Sequence, residues 1–281
     1  MRIAKKILLL ACWLPLVCHA AEERKLVIDN CGLKTMHTKP PQRAVVINQN
    51  PTEIMLALGL ERQMAGTAYL DDAILPELEA AYKTVPVLAE KYPSKEQIIS
   101  LNADFIYAGF GGAYMAKTVG TREELLELDI SPYLTPAHCF GKRTQPVRLD
   151  EVMQEISEIG AIFDAEKKAA ELTASLRQEI EAVQVALGRI HSTQGNYDLA
   201  TAALERALAI DPNDAVANQA IAKVYAVLGR PLDADAFYQR ALALDPSNPT
   251  VHDGYANFLF DQGRLEEAIS AWQKVIRLAP D

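Results

Sequence analysis

The spacing of apolar and polar positions divides the chain into two regions with different periods. From about residue 25 to 150, short apolar runs alternate with amphipathic stretches. RAVVI (Arg43–Ile47) reads as a buried strand, and Pro40-Pro41 keep the chain extended as it enters. QMAGTAY, TVPVL, DFIYAGF and SPYLTPA read as four more strands. Between them, NPTEIMLALGL predicts a helix with Asn50 as N-cap, Pro51 in the first turn, Glu53 as the reciprocal cap and Gly59 at the end. Ser94 with Gln97, and Thr121 with Glu124, mark two further helix starts. Strands alternating with helices predict a parallel sheet covered on both faces, with ligands bound at the carboxyl ends of its strands. Beyond Ala174 the pattern becomes helical, and one continuous helix carries the first period into the second.

The second region repeats itself. Three units begin at Glu181, Ala215 and Pro249, and Gly195, Gly229 and Gly263 follow one another at 34 residues. Ala200, Ala234 and Ala268 keep the same spacing, as do Pro212, Pro246 and Pro280. Leu204, Tyr238 and Trp272 hold the large position. Glycine ends the first helix of each unit, the small residue lets two helices approach, and Asp-Pro stops the second helix. The pattern resembles the tetratricopeptide repeat (TPR), a helix-turn-helix unit of that period. The resemblance implies a solenoid whose concave groove is lined by Val185, Arg189, Ser192, Gln219, Lys223, Ala226, Asp253, Asn257 and Phe260, and a protein partner in that groove. The family's carboxylate clamp is not carried over, because Val185 and Ala220 stand where polar donors are needed. A purely structural array is the competing reading. Ile269, Trp272, Val275 and Ile276 on the last helix lack a following repeat to cover them, so a neighbour is expected there, either a second copy or a different protein.

The first region has its own resemblance. PPQRAVVINQNPTEIMLALGLERQMAGTAY, then VPVLAEKYPSKEQIISLNADFIYAGFGG, then TREELLELDISPYLTPA are similar, in order, to the N-lobe of the periplasmic substrate-binding proteins for iron–siderophore complexes and cobalamin. The match runs from about Lys25 to Gln184 and includes the long helix that joins the two lobes in that family. It implies an ABC-type uptake role, with ligand contacts from Asn48, Gln49, Tyr69, Tyr92, Phe110, Gly111 and Gly112. It also implies permease docking through Glu96. The placement of the tyrosines favours a ferric siderophore or related chelate over haem. Tyr69 and Tyr92 as half-buried loop packing is the alternative. A full family member follows the long helix with a second α/β lobe, whereas here the helix enters the repeats.

The expected organisation is therefore a segment 1–20, an α/β Rossmann-like lobe over 21–163, a long connecting helix over 164–180, and an all-α TPR solenoid of units 181–214, 215–248 and 249–281. Arg2, Lys5 and Lys6 followed by apolar Ile7–Val17 and then Cys18-His19-Ala20 read as a cleavable signal peptide, which implies a periplasmic protein. LLAC (Leu9–Cys12) offers a lipoprotein reading with almost no apolar region before it. Without the first twenty residues the chain carries 25 Lys+Arg against 37 Asp+Glu, a formal charge of −12. That balance argues against nucleic acid or an anionic membrane surface as partner.

Two cysteines remain in that chain, Cys31 and Cys139. In an oxidising compartment a disulfide is expected. A metal site on His138-Cys139 is the alternative, but two adjacent ligands with no second cluster are a weak signal. No resident metal or cofactor is expected. His37, His138, His191 and His252 stand in no recognisable catalytic motif, so no enzyme is expected either. Two functions remain: a periplasmic capture protein for an iron chelate that lacks the usual second lobe, or a TPR adaptor that keeps a vestigial lobe. A fusion with no evolved function is the third outcome. If half of a micromolar cleft were lost, the remaining interaction of about −4 kcal/mol would hold ligand only at millimolar level.

Overall fold

A computed structural model describes residues 24–139 and 147–279, so the expected signal peptide lies outside the described residues. The chain divides into two compact units, the boundary falling between Ala165 and Glu166. No described helix is long and apolar enough to cross a membrane.

The first unit opens with an antiparallel hairpin, β1 (Leu26–Asn30) and β2 (Leu33–His37). Cys31 and Gly32 turn it in left-handed backbone, φ 53° and 79°. Five parallel strands follow: β3 (Ala44–Ile47), β4 (Met64–Ala68), β5 (Val87–Ala89), β6 (Phe105–Ala108) and β7 (Ser131–Leu134). Their order across the sheet is β5-β4-β3-β6-β7. Every residue of β3 and β6 is buried, as strands covered on both faces require. The Asp104 carboxylate fixes the start of β3 by accepting from the backbone N–H groups of Gln42 (2.8 Å) and Arg43 (2.9 Å).

Helices α1 (Gln49–Ala57), α2 (Glu79–Tyr82), α3 (Lys95–Ser100) and α4 (Arg122–Glu127) connect the strands. Ser94 with Gln97, and Thr121 with Glu124, form reciprocal caps on α3 and α4. The start of α1 differs from expectation. Asn48 is its N-cap, and Asn50 lies inside the helix. Glu53 makes no cap; it accepts from Gln49 Nε2 (2.8 Å) and from the Leu75 backbone N–H (3.2 Å). The chain turns one strand-end earlier than the Asn-Pro pair suggests because Asn48 N is already bonded to Ala68 O (2.9 Å) across β3 and β4.

Polar groups close the β7 edge. The Asn30 side chain imitates a strand there, donating to Leu134 O (2.9 Å) and accepting from Leu134 N (2.8 Å). Buried Arg122 donates to the Asn30 carbonyl (2.7 Å) and to Asn30 Oδ1 (2.8 Å). Helix α5 (Leu149–Ile162) then brings Glu155 and Glu158 to the Tyr107 and Tyr133 hydroxyls, each at 2.6 Å. Burial holds the Glu155 carboxyl above its usual range, with the Tyr107 hydrogen bond opposing that shift.

The second unit is helical throughout: α6 (Glu166–Thr193), α7 (Tyr197–Ile210), α8 (Ala215–Val227), α9 (Pro231–Leu244), α10 (Pro249–Asp261) and α11 (Leu265–Leu278). Gly195, Gly229 and Gly263 leave the first helix of each pair at φ 70–77°. Ala200, Ala234 and Ala268 are fully buried where the paired helices cross. Gly188 is needed for the same reason, since a Cβ there would lie 2.4 Å from Leu204 Cγ.

At the corner between α6 and α8, the Glu181 carboxyl is pushed up to about 7 by burial and then by Asp214 and Asp211 beside it. Folded Glu181 therefore keeps a proton that the unfolded chain releases near its ordinary 4.5. Stability of the repeats should fall as pH rises from about 4.5 to about 7 and level off above. Glu181→Gln should flatten that slope, which Trp272 fluorescence during urea unfolding at a series of pH values would report.

Candidate functional site

The parallel register places the end of every strand in the five-stranded sheet along one edge, and the residues that follow converge there. Asn48 and Gln49 follow β3, Tyr69 follows β4, Tyr92 lies beyond β5, Phe110–Gly112 follow β6, and His138 follows β7. The Tyr69 and Tyr92 rings meet edge to face with centroids 4.8 Å apart. A Cβ on Gly112 would stand 3.1 Å from the Tyr92 hydroxyl, and one on Gly109 would stand 3.0 Å from Asn48 Cβ. Glycine at both positions lets the β6 loop lie against the segments that follow β3 and β5. Phe110 is exposed and packs on His138 at a centroid distance of 4.3 Å. The sequence-expected ligand residues of this unit thus form one continuous cluster.

Two of its members hold strained backbone. Asn48 has φ 80° and Tyr69 φ 57°, a conformation that costs a non-glycine residue about 1 kcal/mol or more. Asn48 Oδ1 and Gln49 Oε1 are both buried and accept no hydrogen bond from the protein. Burial raises the Tyr92 hydroxyl above its ordinary value, Tyr69 adds to the effect and Asn48 opposes it. At neutral pH that hydroxyl is a donor. The cluster therefore presents the exposed Phe110 ring, the half-buried Tyr69 and Tyr92 rings and a hydroxyl donor, with two unsatisfied amide oxygens buried beneath them, a set suited to a polar ligand with delocalised or apolar faces.

His138 was not among the expected ligand residues, because its pairing with Phe110 spans two loops that are distant in sequence. The available signal was its position just past a strand end. Its neighbour Cys139 is joined to Cys31 by a disulfide with Cα atoms 5.2 Å apart, which ties the loop after β7 to the β1–β2 turn. Glu96 lies apart from the cluster, exposed in the first turn of α3. Its own backbone N–H and then the Ser94 side chain hold its carboxyl below the usual range. Among the described residues, no three His, Cys, Asp or Glu side chains are grouped to hold a metal ion.

In the repeats, a groove of about 390 Å³ gathers Arg189, Ser192, Gln219 and Lys223 with Gly188, Asn248 and Thr250. Gln219 donates to Thr250 O at 2.8 Å, which fixes one wall. Val185 is not a groove residue: it is buried against Ala207 and Ala217, because α6 turns that position toward α7 and α8. Ala226 is half-buried on α8, and Asp253, Asn257 and Phe260 are exposed on α10, outside the residues lining this groove. Asn257 bonds Asp253 (3.2 Å), and the Phe260 ring lies 5.8 Å from Trp272.

Residues 45–195 match the family model described as periplasmic binding protein, and the chain belongs to that family. Residues 160–281 match the model described as cytochrome c-type biogenesis protein H TPR domain, so both families claim the stretch around α6. Among solved structures, the chain is similar to a periplasmic binding protein from Veillonella parvula, with 27% identity and a TM-score of 0.50 over 58% of this chain and 53% of that one. It is also similar to an ABC-type Fe3+-hydroxamate transport system from Saccharomonospora viridis, with 30% identity and a TM-score of 0.47 over 58% and 56% of the two chains. PilF from Pseudomonas aeruginosa is similar at 36% identity and a TM-score of 0.35, over 36% of this chain and 45% of that one. The chain spans about half the length of the two binding proteins. No curated protein matches it. Family membership gives the chain an extracytoplasmic setting, and both families are binding or scaffold modules.

The disulfide closes a loop with a sequence separation of 108 residues. Losing it should destabilise the first unit by about 4 to 5 kcal/mol in the chain-entropy model. Urea midpoints of the oxidised chain, the reduced chain and the Cys31→Ser/Cys139→Ser variant would measure this, and the reduced chain and the variant should agree.

Proposed function

We propose that the first unit captures a ferric siderophore or a related iron chelate in the periplasm, as the binding component of an ABC-type uptake route. The observation that carries this reading is the convergence of all five parallel-strand ends on one cluster. Tyr69, Tyr92 and Phe110 supply ring faces to a chelate's apolar or conjugated surface, while the Tyr92 hydroxyl donates to its oxygens. Iron arrives already chelated, so the protein need supply no metal ligands. Glu96, exposed in the first turn of α3, is the permease-docking carboxylate of this unit. No chemistry is performed on the ligand, and the protein is not an enzyme. Export follows from a cleavable signal peptide over residues 1–20.

A single lobe covers one side of a ligand. Tight capture therefore requires a second wall beyond this unit.

The adaptor reading has its own support in the groove of the second unit. Arg189 and Lys223 bring two cations to a groove of about 390 Å³ in a chain of net charge −9. A protein segment bearing carboxylates suits that groove by charge, with Gln219 and Asn248 offering hydrogen bonds to its backbone.

Equilibrium dialysis of the full chain against ferric siderophores, haem and cobalamin separates the readings. Capture predicts binding of a ferric siderophore at about 1 μM or tighter, weakened on the order of tenfold or more by Tyr92→Ala, as loss of about 1.4 kcal/mol or more of contact would give. Arg189→Ala should leave that binding unchanged. Millimolar or absent binding of every ligand would eliminate capture and leave the adaptor.

A further inference from the structure

The 34-residue period lets each position of one repeat be compared with its equivalents in the other two. On α8, Ala217, Ile221 and Val224 are fully buried. One period later, on α10, Val251 and Phe258 are buried and Tyr255 is half-buried. These positions meet the second helix of the preceding repeat. Tyr238 of α9 lies 5.4 Å, ring to ring, from both Tyr255 and Phe258, and the Tyr255 hydroxyl donates to Asp235 of α9 at 2.8 Å.

The equivalents on α6 are Val183, Leu187 and Ile190, and they are 56%, 37% and 50% exposed. Their spacing puts them on one face of the helix. α6 therefore shows solvent the same face that the next two repeats bury. The other end of the array is the complement. Leu208 of α7 packs into the cluster formed with Ala217 of α8, but its equivalent Ile276 on α11 is 68% exposed. Ile269, equivalent to Asp235, is 54% exposed.

We propose that these two faces are the halves of one interface, and that copies of this chain stack head to tail. α11 of one copy would pack on α6 of the next as α9 packs on α10 within the chain, so the inter-repeat interface simply continues across copies. The polarity of the exposed residues fits a second copy. Within the chain, the contact at this position is the polar pair Asp235–Tyr255. Across two copies it becomes Ile269 against Leu187, both apolar, so this pair leaves no unmatched polar group. Trp272, in the place of Tyr238, would meet Ile190, in the place of Phe258. Such a contact joins two different surfaces and leaves a free face at each end, so growth continues past the dimer or closes into a ring.

Sedimentation equilibrium of the full chain, up to about 200 μM, tests this. The average mass should rise with concentration. Leu187→Glu and Ile269→Glu should each reduce self-association at least tenfold while leaving the helical circular dichroism unchanged. Mixed together, the two variants should form 1:1 dimers that stop there, since each retains the face the other lacks. A wild-type chain that stays monomeric throughout would overturn the proposal, with both faces then serving a different protein. So would association abolished by one variant and untouched by the other, which is the signature of a two-fold dimer through a single face.

Discussion

Everything in the first unit depends on the hydrogen-bonded register of its five parallel strands. Parallel pairing sends each strand in the same direction, so every following loop emerges on the same edge of the sheet. β3 lies between β4 and β6 with all four of its residues buried, and its end presents Asn48 and Gln49 beside Tyr69 and Gly109. The Asp104 clamp on Gln42 and Arg43 sets where β3 begins, and the Ala68 carbonyl on Asn48 N sets where it ends. The left-handed backbone of Asn48 is held against its intrinsic cost by the bond to Ala68 O, and that of Tyr69 by its own N–H on Ala89 O (3.4 Å). The outer edge is finished by side chains: Asn30 pairs with β7 as a short strand would, and Arg122 holds Asn30.

The repeats solve the same problem with a different regularity. Small residues at fixed spacing set how closely helices approach, and left-handed glycines set where each helix stops. Because each repeat buries its face on a neighbour, the array contains its own description of what an adjoining surface must look like. Groove and end faces are separate consequences of that packing. The groove gathers polar and cationic side chains from α6 and α8, whereas the end faces carry the apolar positions that internal repeats conceal.

Much of this was legible in the sequence because it is encoded locally. The short apolar strands from β3 to β7, the caps at Ser94 and Thr121, and the glycine and alanine period of the repeats each depend on neighbours within one or two turns. What was not legible depends on distant partners. The β1–β2 hairpin alternates buried and exposed residues over only five positions per strand, and its purpose lies at β7, more than a hundred residues away. The N-cap of α1 moved to Asn48 because a bond to β4 decides it, and Asn50 remains the better cap by local composition alone. Val185 falls at a groove position by period but is buried, because its cluster draws on both α7 and α8. His138 joined the ligand cluster through Phe110, a contact that no spacing along the chain announces.

The central claim is that the strand-end cluster of the first unit is a binding surface. Hydrogen exchange measured with and without a ferric siderophore tests it directly, since it reports where on the chain a ligand acts. The account predicts slower exchange in the segments just past β3, β4, β5, β6 and β7, with the backs of the same strands unchanged. Unchanged exchange in all five segments at saturating ligand, or protection confined to the repeats, would contradict it.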